Sequence, residues 1–447
     1  MATTKKSNEV LFTTDTSGEH WNVCMWDFHS GTSLSYYKGG STTSRGLALI
    51  AGEYLLAANN ARSVLHVWTL QRREQMQSKV VFPKKISSLA VSPDGCFCVA
   101  GIEEKIYVWQ VSSGDLLAIV QKHYQNITCV KFVDNITFVS GGEDNLVVVW
   151  SLTDVVRIWK DACLKPEPLF TWKDHSLAIT DIHVGAGGLR SRIVTASLDQ
   201  TCKMWDLCSG QLLCDFVFPV GITSVVMDAA DSCLFAGAKN GHIYTVDLFE
   251  NTNSRQRHVA SDTAMIKRVT AFNGHDQQVT CLAMSKEGDK LISGSDDCNV
   301  KIWDISSGQC IRTLPHKGAV TNVLISPVTP AMLNPNYKPT RLLGQLKRNL
   351  QSVDEEGETV GTVLLKNQPQ SCIFEPYTEE NGDVIVAYNR AVKNTGTSLD
   401  IPYEEGHSDM NEYEKTELIK KLKDELKQVK KVNNKLFEFS ILKLSET

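Results

Sequence analysis

Apolar and polar residues alternate through most of residues 9–327 in short runs separated by turn residues, which is the period-two signature of strands with one buried face. Four such runs follow one another clearly from Ile127 to Val133, Thr137 to Gly141, Leu146 to Trp150 and Leu169 to Trp172. They predict strands a, b, c and d of one small antiparallel sheet. Runs of the a type begin near Arg45, Ile86, Ile127, Ile179, Ile222, Val279 and Val320, and the last has no b, c or d strand after it. Its partners lie at the other end of the chain, where Val10 to Asp15, Asn22 to Phe28 and Ser33 to Lys38 have no a strand of their own. The pattern predicts an all-β ring of seven sheets over residues 8–327. One sheet is shared between the chain ends, which removes the open edges that would template aggregation.

The c runs end in a recurring phrase: MWDFHSG at Trp26, VWTL at Trp68, VWQVSSG at Trp109, VWSL at Trp150, MWDLCSG at Trp205 and IWDISSG at Trp303, with Val246 in the Trp position of YTVDLFE. Successive anchors are 42, 41, 41, 55, 41 and 57 residues apart. That is the period of a four-stranded WD40 blade, lengthened twice by insertions, and the predicted architecture is a velcro-closed seven-bladed WD40 β-propeller.

Three sets of side chains recur at matching offsets: His123, Ser140, Asp144 and Trp150; His175, Thr195, Asp199 and Trp205; His275, Ser293, Asp297 and Trp303. Ser, His and Asp are the ingredients of a nucleophilic triad. An enzyme needs one such site in a cleft, however, and three copies locked to the repeat period read as fold cement that gives each buried polar group a partner. The other blades keep only part of the set, with Glu103, Arg62 and Asn240 in the Asp position, and are expected to be less rigid. The sequence also lacks a Gly-rich phosphate loop and metal-ligand spacing, so neither catalysis nor a cofactor is expected.

Thr153 to Pro168 reads as an insertion between strands c and d, in which Val156, Trp159 and Ala162 share one helical face. A second insertion, Glu250 to Lys267, is polar and has Arg255, Arg257, Lys267 and Arg268 in or beside it; it reads as a solvated loop or as a contact to RNA phosphate. Beyond Pro327, prolines at 327, 330, 335 and 339 break helix and central strand, and residues 351–410 hold twelve Asp or Glu against three Lys or Arg. Residues 328–410 are therefore expected to be an irregular acidic tail. From residue 411 to 442 a Lys/Glu-rich segment carries Ile419, Leu422, Leu426, Val429, Asn433 and Leu436 at alternating steps of 3 and 4. These are heptad a and d positions, and an Asn at a favours a two-stranded assembly. Homodimerisation through this helix is the first expectation, beside a helical partner of another chain or docking on the propeller.

A formal net charge of -5 carries no global basic footprint for nucleic acid. The thirteen cysteines sit mostly in strand-like runs without CxxC pairs, so they read as reduced core thiols and point to cytosol or nucleus. Neither a signal peptide nor a membrane span is expected.

The stretches RGLALI from Arg45, GEYLLAA to Ala58, SLDQTCKMWDLCSGQLL from Ser197, VDLF from Val246, SGSDDCNVKIWDISSGQCIRT from Ser293 and LKDELKQVKKVNNKLFEFS from Leu422 together resemble the WD40 subunits of the rixosome, a pre-60S ribosome maturation complex. The resemblance implies a scaffold, not a nuclease, that acts in the nucleolus and nucleoplasm and also occurs in the cytoplasm. It further implies a role in removing the internal transcribed spacer from pre-rRNA, with a helical-repeat scaffold of the proline-, glutamate- and leucine-rich type and a midasin-type AAA ATPase as partners on the pre-60S particle. The competing reading is a generic WD40 adaptor, such as a ubiquitin-ligase substrate receptor or a chromatin-associated scaffold.

Overall fold

The computed structural model describes residues 9–18, 22–70, 80–157, 166–249, 256–259, 272–334, 337, 339–341 and 343–347. They form a β-propeller of seven sheets. Blades are numbered from the first complete one, which is built of Thr42–Ile50, Tyr54–Asn59, Val64–Thr69 and Val80–Val81. Blade 2 comprises Ser88–Val91, Phe97–Ile102, Lys105–Gln110 and Leu116–Gln121; blade 3 Ile127–Phe132, Thr137–Gly142, Val147–Ser151 and Phe170–Trp172; blade 4 Ile179–Val184, Arg192–Ser197, Thr201–Asp206 and Leu212–Val217. Blade 5 has Ile222–Met227, Cys233–Ala238 and Ile243–Asp247, and blade 6 has Val279–Met284, Lys290–Ser295, Asn299–Asp304 and Cys310–Pro315.

Blade 7 joins the two ends of the propeller. Its inner strand Val320–Pro327 pairs antiparallel with Glu9–Asp15, so that Phe12 opposes Leu324 and Leu11 opposes Ile325, and Val23–Asp27 and Ser33–Tyr37 complete the sheet. The innermost strands lie side by side in chain order, and the last lies against the first.

Two repeating devices hold neighbouring blades together. The first is aromatic: Tyr37, Phe82, Trp172 and Phe272 each reach the c-strand Trp of the next blade, at centroid distances of 5.9 Å to Trp68, 5.3 Å to Trp109, 4.4 Å to Trp205 and 5.5 Å to Trp303. Such pairs add to the apolar burial already gained there. The second is polar. In blades 3 to 6 the second residue of the inner strand sits in a β-bulge. There Thr128, Thr180 and Thr280 donate their hydroxyls to the carbonyls of Ile179, Ile222 and Val320 in the next blade at 2.7, 2.8 and 2.6 Å, and Thr223 does the same to Val279. The bulge re-aims one side chain along the ring while the rest of the strand keeps its ladder.

The insertions depart from the plain repeat. Helix Leu152–Arg157 follows blade 3's c strand and buries Leu152 and Val155, with Val156 only partly buried; Trp159 and Ala162 lie outside the described residues. From the second insertion, Gln256–His258 pairs parallel with Leu212–Val217 on the outer edge of blade 4, where Arg257 lies 5.8 Å from the Phe216 ring. At these three residues a strand on a sheet edge stands where a loop or an RNA-phosphate contact is expected. Blade 5's outer side retains a bridge between Ile243 and Phe272. Past Pro327, Pro330–Leu333 forms a short helix with Pro at its start, where a missing N–H costs nothing, so this proline begins a helix instead of breaking one.

Candidate functional site

Blades 3, 4 and 6 each contain one hydrogen-bonded chain of four side chains. In blade 3 Trp150 Nε1 donates to Ser140 Oγ at 3.0 Å, His123 Nε2 lies 2.8 Å from the same oxygen, and His123 Nδ1 lies 3.0 Å from Asp144. Blade 4 repeats this with Trp205, Thr195, His175 and Asp199 at 3.1, 2.8 and 2.9 Å, and blade 6 with Trp303, Ser293, His275 and Asp297 at 2.8, 2.7 and 2.7 Å. A neutral histidine satisfies every atom: Nδ1–H donates to the carboxylate, and Nε2 accepts the hydroxyl proton while that oxygen accepts from the indole. Each Asp also accepts the backbone N–H after its histidine, at Tyr124, Ser176 and Asp276.

Burial alone pushes these three carboxyls up, but bonds from the imidazoles and backbone outweigh it, and Asp144, Asp199 and Asp297 are held below the ordinary carboxylate range. Burial pushes His275 below the usual imidazole value against the opposing pull of Asp297. The Ser and Thr hydroxyls are fully buried and committed to both neighbours, so they present no attacking oxygen to a substrate.

A fourth, incomplete chain spans the closure. Trp26 Nε1 donates to Thr13 Oγ1 at 2.8 Å, and His316 Nε2 lies 2.7 Å from that oxygen, while His316 Nδ1 faces the Leu314 carbonyl at 3.1 Å instead of an Asp. The signal was in the sequence: His316 stands four residues before Val320, as His123, His175 and His275 stand before Ile127, Ile179 and Val279.

The register also shows why the remaining blades lack the set. The site of Ser140, Thr195 and Ser293 is taken by Ala57 in blade 1, Ala100 in blade 2 and Ala236 in blade 5. Trp68 Nε1 has no partner there, and Trp109 Nε1 turns to the carbonyl of Lys347 at 2.8 Å. Glu103 has φ of 53° and pairs with exposed Lys84 at 2.6 Å, so it does not take the Asp role expected for it.

At the centre, Arg45 of blade 1 crosses to blade 4. Its Nε lies 2.9 Å from Asp181 Oδ1, and its Nη2 donates to the Thr223 carbonyl of blade 5 at 2.9 Å. Asp181 Oδ2 accepts the Val225 N–H at 3.1 Å. Around Arg45 opens a depression of about 670 Å3 that also takes in Lys84, Lys85, Glu103, Asn126 and Glu143. Two cations and two carboxylates beside the committed arginine give it no net preference for one sign of ligand charge.

Among the described residues no cluster of His, Cys, Asp or Glu has the arrangement of a metal site, and no two cysteines are bonded. Burial drives the thiols of Cys98 and Cys281 up to about 12 and that of Cys129 to about 11, which keeps them protonated. No helix among the described residues is long and apolar enough to cross a membrane. Ile419, Leu422, Leu426, Val429, Asn433 and Leu436 lie outside the described residues.

The family model described as WD domain, G-beta repeat matches residues 114–151, 166–206 and 266–304, and each match contains one complete four-residue chain. The protein is similar to WD repeat-containing protein 18 of Rattus norvegicus, at 38% identity over 438 residues covering 97% of both chains, and of Homo sapiens, at 38% over 439 residues with the same coverage. It is also similar to Pre-rRNA-processing protein IPI3 of Yarrowia lipolytica, at 28% identity over 377 residues, 81% of this chain and 85% of that one.

Proposed function

The chain belongs to the WD repeat-containing protein 18 family, and from that premise we propose that it is a non-catalytic scaffold acting in pre-rRNA processing during nuclear maturation of the large ribosomal subunit. The observation that carries this reading is that relatives aligned over most of the chain are named for pre-rRNA processing. The propeller adds support, because its recurrent Ser, His and Asp are tied up within blades and leave rigid faces fit for holding partners. In this role the protein assists removal of the internal transcribed spacer, binds a helical-repeat scaffold of the proline-, glutamate- and leucine-rich type, and helps bring a midasin-type AAA ATPase to the pre-60S particle. Residues 411–442 pair two copies, and the protein resides in nucleolus and nucleoplasm.

The test is depletion of the protein, with pre-rRNA species followed by hybridisation and partners captured on the intact chain. Accumulation of spacer-containing precursor, rescued by the wild-type chain, together with pre-60S factors on the bait, is the expected result. Normal precursor levels with ubiquitin-ligase or chromatin subunits on the bait overturn it in favour of a generic adaptor. Mass in solution with and without residues 411–447 tests the dimer: a halving on truncation is expected, and an unchanged mass rules pairing through this segment out.

A further inference from the structure

Blades 1 and 2 have alanine where the complete blades have the central hydroxyl, and these two are the blades on which the chain lays its segment after the propeller. Thr329 Oγ1 donates to the Gly52 carbonyl at 2.8 Å. The buried carboxylate of Glu53, in the a–b turn of blade 1, then accepts four bonds: from Tyr337 Oη at 2.8 Å, from the Thr340 N–H at 3.2 Å, from the Thr340 hydroxyl, and from the Arg341 N–H at 3.0 Å. Tyr54 Oη donates back to the Arg341 carbonyl at 2.7 Å, and the Arg341 guanidinium donates to the Asp94 carbonyl in blade 2. Leu343 and Leu346 enter the core between the blades beside Ile50, Leu56, Val67, Cys98 and Val111, leaving about 10 Å3 of free space. The Gly344 and Lys347 N–H groups donate to the Val111 and Gly114 carbonyls at 2.9 and 2.7 Å, Lys347 pairs with Asp115 at 2.5 Å, and the Lys347 carbonyl takes the Trp109 indole N–H.

We propose that the described residues between 329 and 347 act as a strap, latched at Glu53, that fastens together blades 1 and 2, two of the three blades with alanine at the hydroxyl site, and anchors the chain that follows to that sector of the ring. The strap runs along the a–b and c–d turns, Gly52 and Glu53 in blade 1 and Asp94, Ser113 and Gly114 in blade 2, so it leaves the His-bearing turns uncovered. A partner that pulls on the tail beyond residue 347 loads blades 1 and 2 first, and through Arg45 the centre of the propeller. The strap also moves the functional boundary of the folded unit from residue 327 to residue 347.

Hydrogen exchange on the full-length chain, resolved by blade, tests this. The double substitution Leu343→Asp and Leu346→Asp is expected to raise amide exchange in 54–69 and 97–110 by about tenfold or more while strands 193–206 and 291–304 keep their protection. Glu53→Gln, which keeps the packing and weakens the latch, is expected to do the same by about threefold. Unchanged protection in blades 1 and 2 in the double variant, or an equal loss in every blade, overturns the proposal. If the double variant fails to fold, Glu53→Gln decides alone, with no local change counting against the strap.

Discussion

The guanidinium of Arg45 and the carboxylate of Asp181 meet at 2.9 Å although they belong to blades 1 and 4, which share no sheet and are not neighbours in the ring. Their side chains are only 20% and 12% exposed, so each charge depends on the other. Arg45→Ala leaves the mostly buried Asp181 carboxylate without its cation, and is expected to lower unfolding free energy by about 3 kcal/mol, measured by denaturant titration. Replacing both, as Arg45→Met with Asp181→Leu, should recover most of that loss, because no lone charge then remains.

Ser293→Ala is expected to cost about 1–3 kcal/mol, because it strands both the Trp303 indole N–H and the His275 Nε2 in a buried site. Thermal denaturation of the variant beside the wild type reads this directly. The same change at an exposed serine such as Ser307 should shift the midpoint by far less.

Acid should loosen the propeller in two stages. His275 has a folded value below the unfolded imidazole value of about 6.5, so the unfolded state gains a proton first as pH falls through that range, and stability declines. Asp144, Asp199 and Asp297 are likewise depressed, so their contribution is complete above about 4 and is lost as pH falls through the folded values. Denaturation midpoints from pH 7 to 3 should fall throughout, and Asp297→Asn should flatten the lower part of the curve. A midpoint independent of pH would contradict the assigned charge states.

Thr13→Val removes the oxygen that joins Trp26 of the N-terminal strands to His316 of the last d–a turn. The expected loss is about 1–3 kcal/mol, with faster unfolding, since the inner strand of blade 7 is held to the rest of its sheet by non-covalent contacts alone. Stopped-flow unfolding in denaturant measures it, and a rate equal to wild type would show that strand pairing alone holds blade 7 together.

The sequence made legible what repeats. Anchors at Trp109, Trp150, Trp205 and Trp303 and the runs between them reveal blades because each strand must hide one face, and the His, hydroxyl and Asp offsets follow the same period. Two further periodic signals become meaningful only once the ring is known: a threonine or serine after the first β-branched residue of the inner strand, at Ser87, Thr128, Thr180, Thr223, Thr280 and Thr321, and the alanines at 57, 100 and 236. Features that occur once were not legible. Nothing local tells that Arg45 reaches Asp181 across 136 positions, or that Glu53 gathers Tyr337 and Thr340, because those contacts exist only after the ring has formed. The strand around Arg257 is not visible in a segment whose sequence suggests a solvated loop or an RNA-phosphate contact, because three residues added parallel to a foreign edge leave no alternation to detect.

Blade 7 imposes an order of events on synthesis. Glu9–Asp15 leaves the ribosome some three hundred residues before its inner neighbour Val320–Pro327 is made. Through that interval the N-terminal strands present an unpaired apolar edge, with Leu11 and Phe12 awaiting Ile325 and Leu324. The ring therefore closes only after every other blade has been translated, and Glu9–Asp15 is the last of the propeller's strands to gain its inner neighbour.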